Sequence, residues 1–345
     1  MLAKKRIFAL VCAVLILFVS CTKNEKKTDS LSIAIFVPGV VAGNAVYEMF
    51  VSGSERAIES YKTKENAKSL KYQVIEAGTN QSEWPAKLTA LCASEQWDLI
   101  FSSNPALPDI LEPILKDFPN QKCIILDSYK TGIAGMQTVL YNQRQQAYLA
   151  GYAAAMVTTA KDLPYANSAK KIALIAAQEY PAMNDIMYPG FIEGARAYDP
   201  EIEVLFRIVG NWFDASKSYE IASSLYDLGV DVMLPIAGGA SQGVISCAKD
   251  KGFYISWFDN EGYEKAPGYV ISSAMMMQEK MAEQVLGNYL DGRAEFGTAN
   301  IYGMEDGFID FVLHEPTSDN PERVQKIAEV YDAIKTKRLV LEPSL

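Results

Sequence analysis

Val232-Met-Leu-Pro-Ile-Ala-Gly-Gly-Ala-Ser-Gln-Gly243 reads as an apolar strand that enters a glycine turn and leaves it as a helix. The run Val232 to Ile236 has no polar alternation, so both faces of the strand must be covered, as in a parallel sheet layered by helices. Ser241 to Lys251 has helical spacing, and Phe253-Tyr-Ile-Ser-Trp-Phe-Asp259 is the next strand. Upstream the alternation repeats. Lys171 to Ala176 is a strand, Tyr188 to Tyr198 a helix, Glu203 to Ile208 a strand and Ser216 to Leu228 a helix.

An equivalent series occupies the first part of the chain. Strands are expected at Leu31 to Val37, Tyr72 to Glu76, Trp97 to Phe101, Lys122 to Asp127 and Met136 to Tyr141. Helices are expected at Val46 to Tyr61, Trp84 to Ser94 and Leu107 to Phe118. Strands alternating with helical segments predict α/β architecture with doubly wound parallel sheets. After Val270 the chain makes a further strand-helix-strand excursion and ends in a helix from Asn320 to Thr336. Two lobes with several chain crossings follow. The expected division is 31–141 plus about 271–299 for the N-terminal lobe, and 142–270 plus about 300–345 for the C-terminal lobe. The linker Tyr141-Asn142-Gln143 is short, so the lobes should be closely hinged around a cleft.

The N-terminus carries an address. Lys4, Lys5 and Arg6 precede thirteen apolar residues, Ile7 to Val19, and then Ser20 and Cys21. This is the pattern of a secretory signal, residues 1–20, and its apolar run is short for a bilayer span. A cysteine at the cleavage point predicts lipid attachment at Cys21, with residues 21–30 as a polar tether. Phe18 stands where such signals usually carry leucine. The expected location is the cell membrane, lipid-anchored and facing the periplasm or the exterior. Plain secretion and an uncleaved anchor are the alternatives.

The chain has 345 residues, 49% hydrophobic and 21% charged, a globular composition large enough for two cores. Removing Lys4, Lys5 and Arg6 from 32 basic residues leaves 29 against 42 acidic, a charge of −13. So acidic a body argues against nucleic acid as a partner, which needs a basic face. Past Cys21, the cysteines Cys92, Cys123 and Cys247 are widely spaced and odd in number, so buried thiols are expected rather than a disulfide framework.

Catalytic and cofactor motifs are missing. There is one histidine, His314, and no HExxH, GxSxG or metal-binding cysteine/histidine spacing. Gly238 to Gly243 has the outline of a phosphate loop, but Val244 and Ile245 stand where lysine and a hydroxyl residue would be needed. No enzyme activity, metal or cofactor is expected.

Ligands of open α/β sheets sit beyond the carboxyl ends of the strands. That rule selects Asn104, Asp127 and Asn142 in the first lobe, and Trp212, Gly238, Gly239 and Asp259 in the second. Each has a structural alternative. Asp127 and Asp259 could cap helices, Trp212 could fill a core, and the glycines could serve a turn. As ligand contacts, the aromatic ring would stack on a planar group, the carboxylates would accept hydroxyl protons, and the glycines would expose backbone N–H groups.

The stretches Tyr148-Leu-Ala-Gly-Tyr-Ala-Ala, Gly190-Phe-Ile-Glu-Gly-Ala-Arg, Asn211-Trp-Phe-Asp-Ala-Ser-Lys, Leu225-Tyr-Asp-Leu-Gly-Val-Asp-Val, Ile236-Ala-Gly-Gly-Ala-Ser-Gln-Gly-Val and Gly303-Met-Glu-Asp-Gly resemble the basic membrane lipoprotein family. These are substrate-binding proteins of ABC transporters, with a likeness here to the purine nucleoside receptor lipoproteins of spirochaetes. The resemblance runs from about Leu31 to Leu313. It implies a type I periplasmic-binding-protein fold, a nucleoside in the interlobe cleft, and permease and ATPase partners. It also implies base stacking by Trp212 and a first-lobe aromatic near Val46, at Tyr47, with Asp259 on the ribose. The first-lobe half departs from the family. Pro38-Gly-Val-Val-Ala-Gly43 replaces an aspartate-rich turn, and Met276 stands near the place of a lysine. A receptor of this fold for another small ligand, acting in sensing, is the main alternative, and a nucleoside-processing enzyme a weaker one.

Overall fold

The computed structural model describes residues 30–343. The signal 1–20, the lipid site Cys21 and the tether up to residue 29 lie outside the described residues. In the first lobe the chain runs β1 (Ser30–Val37), α1 (Ala45–Lys62), β2 (Ser69–Glu76), α2 (Trp84–Ala93), β3 (Leu99–Ser103), α3 (Leu107–Asp117), β4 (Lys122–Leu126) and β5 (Met136–Tyr141). It then crosses. The second series is α4 (Gln143–Thr158), β6 (Lys171–Ala176), α5 (Tyr188–Tyr198), β7 (Glu203–Ile208), α6 (Ala215–Asp227), β8 (Val230–Ile236), α7 (Ser241–Lys251), β9 (Tyr254–Asp259) and β10 (Val270–Met276). The remainder is α8 (Gln278–Leu290), β11 (Ala299–Tyr302), β12 (Ile309–Leu313) and α9 (Pro321–Lys335).

Each lobe is built on a six-stranded sheet, in the orders β11-β5-β4-β3-β1-β2 and β12-β10-β9-β8-β6-β7. The two orders match strand for strand, so the lobes are topological repeats. Pairing is parallel throughout except β10 with β12. The apolar strands explain this. In β1, Ile33, Ile35 and Val37 face one core cluster while Ala34 and Phe36 face another. In β8, Val232, Leu234 and Ile236 face one cluster and Val230 and Met233 the other. A strand buried on both faces needs helices on both sides, which only crossover connections supply. Pro235 is tolerated in β8 because its ladder with β9 covers only Val232 and Met233, ending before the missing N–H would be needed.

The crossings differ from the division expected near residues 271 and 299. β10 stays in the second sheet, between β9 and β12, so the chain leaves that lobe only at Met277. β11 lies beside β5 in the first sheet, so the return follows Tyr302. β11 is only four residues long, ANIY, too short to give a strand signal of its own, and its pairing with buried β5 decides its place.

Glycines set the helix packing. A Cβ on Gly151 of α4 would lie 2.0 Å from the Phe191 carbonyl oxygen, and one on Gly194 of α5 would lie 1.9 Å from that of Tyr148. The two helices therefore touch backbone to backbone. Cys92, Cys123 and Cys247 are free and buried. Among the described residues, no helix is long and apolar enough to cross a membrane.

Candidate interlobe ligand site

The two sheets bring their strand ends to one cleft. Asp127 follows β4 and Asp259 ends β9, the matching strand of the second lobe. Both have left-handed backbone, with φ of 55° and 71°. Neither carboxylate caps a helix. Asp127 Oδ1 accepts from Gln143 Nε2 at 3.3 Å, and Asp259 Oδ1 from Gln146 Nε2 at 3.5 Å. Both glutamines lie in the first turn of α4, just past the first crossing. Burial pushes the Asp127 carboxyl up to about 8, and the charge of Asp259 adds to it. Burial also raises Asp259, to about 6, against the opposing hydrogen bond from Gln146. A carboxyl so placed is charged only when something supplies it with donors.

Aromatic groups wall this pair. The Tyr180 hydroxyl is pushed well above its usual range by burial first, then by the charges of Asp127 and Asp259. Its ring centre lies 6.1 Å from that of Trp212, tilted by 45°. The Trp212 indole N–H donates to Gln178 Oε1 at 3.1 Å, which fixes the ring plane. Gly238 lies against the same side chain and Gly239 against the Trp212 backbone. The Ala240 N–H donates to the Trp212 carbonyl at 3.1 Å, and a Cβ on Gly238 would lie 3.3 Å from the indole. Gly238 also has φ of +56°, which favours glycine. Trp212, Gly238 and Gly239 thus form one corner of the site.

The first-lobe candidates occupy two places. The Tyr47 hydroxyl donates to the Pro38 carbonyl at 3.0 Å, and burial raises it to about 12, with the Asp127 charge contributing. Asn104 donates weakly to the Tyr47 hydroxyl at 3.5 Å, and its Oδ1 accepts from the Ala106 N–H at 2.9 Å. Tyr47, Asn104 and Asp127 are therefore neighbours. Asn142 sits in the hinge. Its N–H donates to the Tyr302 carbonyl and its Nδ2 to that of Leu341, both at 2.8 Å, tying the first crossing to the third and to the C-terminal segment. At the second crossing, fully buried Gln278 accepts from the Tyr141 hydroxyl and donates to Ser103 Oγ at 2.7 Å. Met276, 4% exposed, belongs to the core and carries no charge.

Sequence reasoning passed over Tyr180, Gln178, Gln143 and Gln146. Gln178, Tyr180 and Gln143 lie just beyond a strand end, β6 for the first two and β5 for the third, so the rule that found Asp127 reaches them too, whereas Gln146 lies a turn into α4 and is outside its reach. His314 is structural. Its Nε2 meets both Ser273 Oγ at 2.8 Å and Glu261 Oε1 at 3.2 Å. A nucleophile relay needs the acid on the other ring nitrogen, and Ser273 is fully buried. An open groove of about 830 Å³ lined by Arg144, Tyr188, Glu193 and Arg196 lies on the second lobe, outside this cluster.

The comparisons agree with this geometry. The family model described as "ABC transporter substrate-binding protein PnrA-like" matches residues 30–342. The chain is 24% identical over 325 residues to "ABC transporter nucleoside-binding protein BmpA" of Lactococcus lactis subsp. cremoris, covering 89% of this chain and 88% of that protein. It is 23% identical over 314 residues to "Basic membrane protein D" of Borreliella burgdorferi, covering 89% and 86%. A solute-binding protein structure from Aeropyrum pernix K1 superposes with a TM-score of 0.74 at 16% identity, covering 91% of this chain and 94% of that one, a likeness of fold. With two type I lobes hinged about a cleft and a family match across nearly all the described residues, the chain belongs to the Bmp family of ABC transporter substrate-binding proteins.

Proposed function

We propose that this protein is a lipid-anchored receptor that binds a nucleoside, with a purine favoured, in the interlobe cleft and delivers it to an ABC permease and its ATPase. Substrate-binding proteins of this family work outside the cytoplasm at a membrane. Cys21 after a secretory signal supports lipid as the attachment. The observation that carries the ligand reading is the Tyr180–Trp212 pair beside Asp127 and Asp259. A planar base stacks on the aromatic corner, and the sugar hydroxyls donate to the carboxylates. The name of the Lactococcus relative supports the same ligand class. Contacts from both lobes make the closed state the one that ligand stabilises.

The test is mass spectrometry of ligand released from purified protein, followed by calorimetry with a panel of nucleosides. Heat saturating at one ligand per chain is expected. No heat with any nucleoside overturns the ligand assignment. Palmitate labelling that persists in Cys21→Ala overturns the anchor.

A further inference from the structure

We propose that the cleft selects a positively charged form of its ligand, with the charge seated between Asp127 and Asp259. This rests on the nucleoside reading and narrows it.

Acceptors outnumber donors at this place. Asp127 and Asp259 each receive one long hydrogen bond, from a neutral glutamine amide, and no ion pair among the described residues reaches either. A carboxylate can accept about four hydrogen bonds, so both are far from satisfied. Gln146 adds to the excess independently. It is 0% exposed, its Nε2 is spent on the Ala274 carbonyl at 2.8 Å and on Asp259, and its Oε1 has no partner among the described residues. A buried acceptor without a donor costs about 1–3 kcal/mol, and native interiors carry few of them.

The neighbours do not neutralise the pair. The groups that act on the cleft carboxyls and tyrosines are Asp127, Asp259, Gln146 and Asn104, and no lysine, arginine or histidine is among them. A neutral ligand would leave two like charges facing each other in a closed cleft, or would force one to keep a proton. A cation between them satisfies both at once. Tyr180 and Trp212 complete the arrangement, because aromatic faces attract organic cations.

The experiment is calorimetry near neutral pH with matched pairs: adenosine against 5′-amino-5′-deoxyadenosine, charged on the sugar, and against 1-methyladenosine, charged on the base. At least one cationic member is expected to bind about tenfold or more tightly than adenosine, a difference of about 1.4 kcal/mol. Asp127→Asn and Asp259→Asn, which keep shape and remove charge, should each erase most of that preference. Adenosine binding as tightly as both cations overturns this inference and leaves the nucleoside reading standing. If no nucleoside of either kind binds, the released ligand decides. A cationic molecule that is not a nucleoside keeps the inference and ends the nucleoside reading, and a neutral one ends both.

Discussion

Asp127 and Asp259 are the same position of a repeated lobe, each at the end of the fourth strand, each with a left-handed φ, and each held by a glutamine from the first turn of α4. Aspartate tolerates that backbone because its short polar side chain costs little there. One helix, Gln143–Thr158, therefore reaches both lobes' carboxylates from the first crossing.

Closure should weaken as pH rises. Burial raises both carboxyls in this structure, to about 8 and about 6, above the ordinary value of 3.8 expected when opening of the cleft lets water reach them. A raised acid favours the closed state most fully below its ordinary value, and that advantage is lost as pH climbs through the raised one. Small-angle scattering of ligand-free protein should show expansion as pH rises from about 4 to about 8. The double variant Asp127→Asn/Asp259→Asn should give a flat profile. A flat profile in the unaltered protein would separate these carboxyls from closure.

Removing the Trp212 ring should weaken binding without unfolding the lobe. Its indole is part-buried and packs on Gly238, not within the deep core. Stacking of a base on an aromatic side chain contributes about 1–3 kcal/mol, so Trp212→Ala should raise Kd by roughly tenfold to a hundredfold. Trp212→Phe should recover part of that. Unchanged affinity for an aromatic ligand in Trp212→Ala would remove the stacking role.

The strands were legible because Ile33 to Val37 and Val232 to Ile236 are apolar without alternation, and only a two-faced parallel sheet buries such runs. β11 was not legible, since Ala299–Tyr302 is short and only half-buried, and its place depends on β5. At the site, single residues at strand ends could be chosen from sequence, but their partners could not. Gln146 lies within a helix and meets Asp259 across 113 residues of chain, a contact no local pattern encodes. Asn142 satisfies the same strand-end rule, yet its amide serves the hinge.

The glycines of Tyr148-Leu-Ala-Gly-Tyr and Gly190-Phe-Ile-Glu-Gly should prove to be packing residues. Gly151→Ala and Gly194→Ala each push a methyl into facing backbone, which cannot swing away. Overpacking of this kind costs about 1–3 kcal/mol or more, seen as a lower urea midpoint. Gly287 in α8 is the control. Nothing lies within 4 Å of a Cβ there, so Gly287→Ala should be neutral or stabilising by about 0.5–1 kcal/mol. Equal losses at all three positions would mean that helix contact is not the cause.

The second crossing offers a cleaner measurement. Gln278 is fully buried between the Tyr141 hydroxyl and Ser103 Oγ, which are themselves buried. Gln278→Leu leaves both hydroxyls without that partner, at a cost of about 1–3 kcal/mol for each stranded group. Tyr141→Phe alone strands the glutamine oxygen and should also destabilise. Tyr141→Phe/Gln278→Leu removes both ends of one hydrogen bond, and an apolar pair can be nearly neutral. The double variant should therefore lose clearly less stability than the two single losses combined, with a coupling of at least about 0.5 kcal/mol in a urea-unfolding cycle. Strict additivity would mean that Tyr141 and Gln278 do not act as a bonded pair across the hinge.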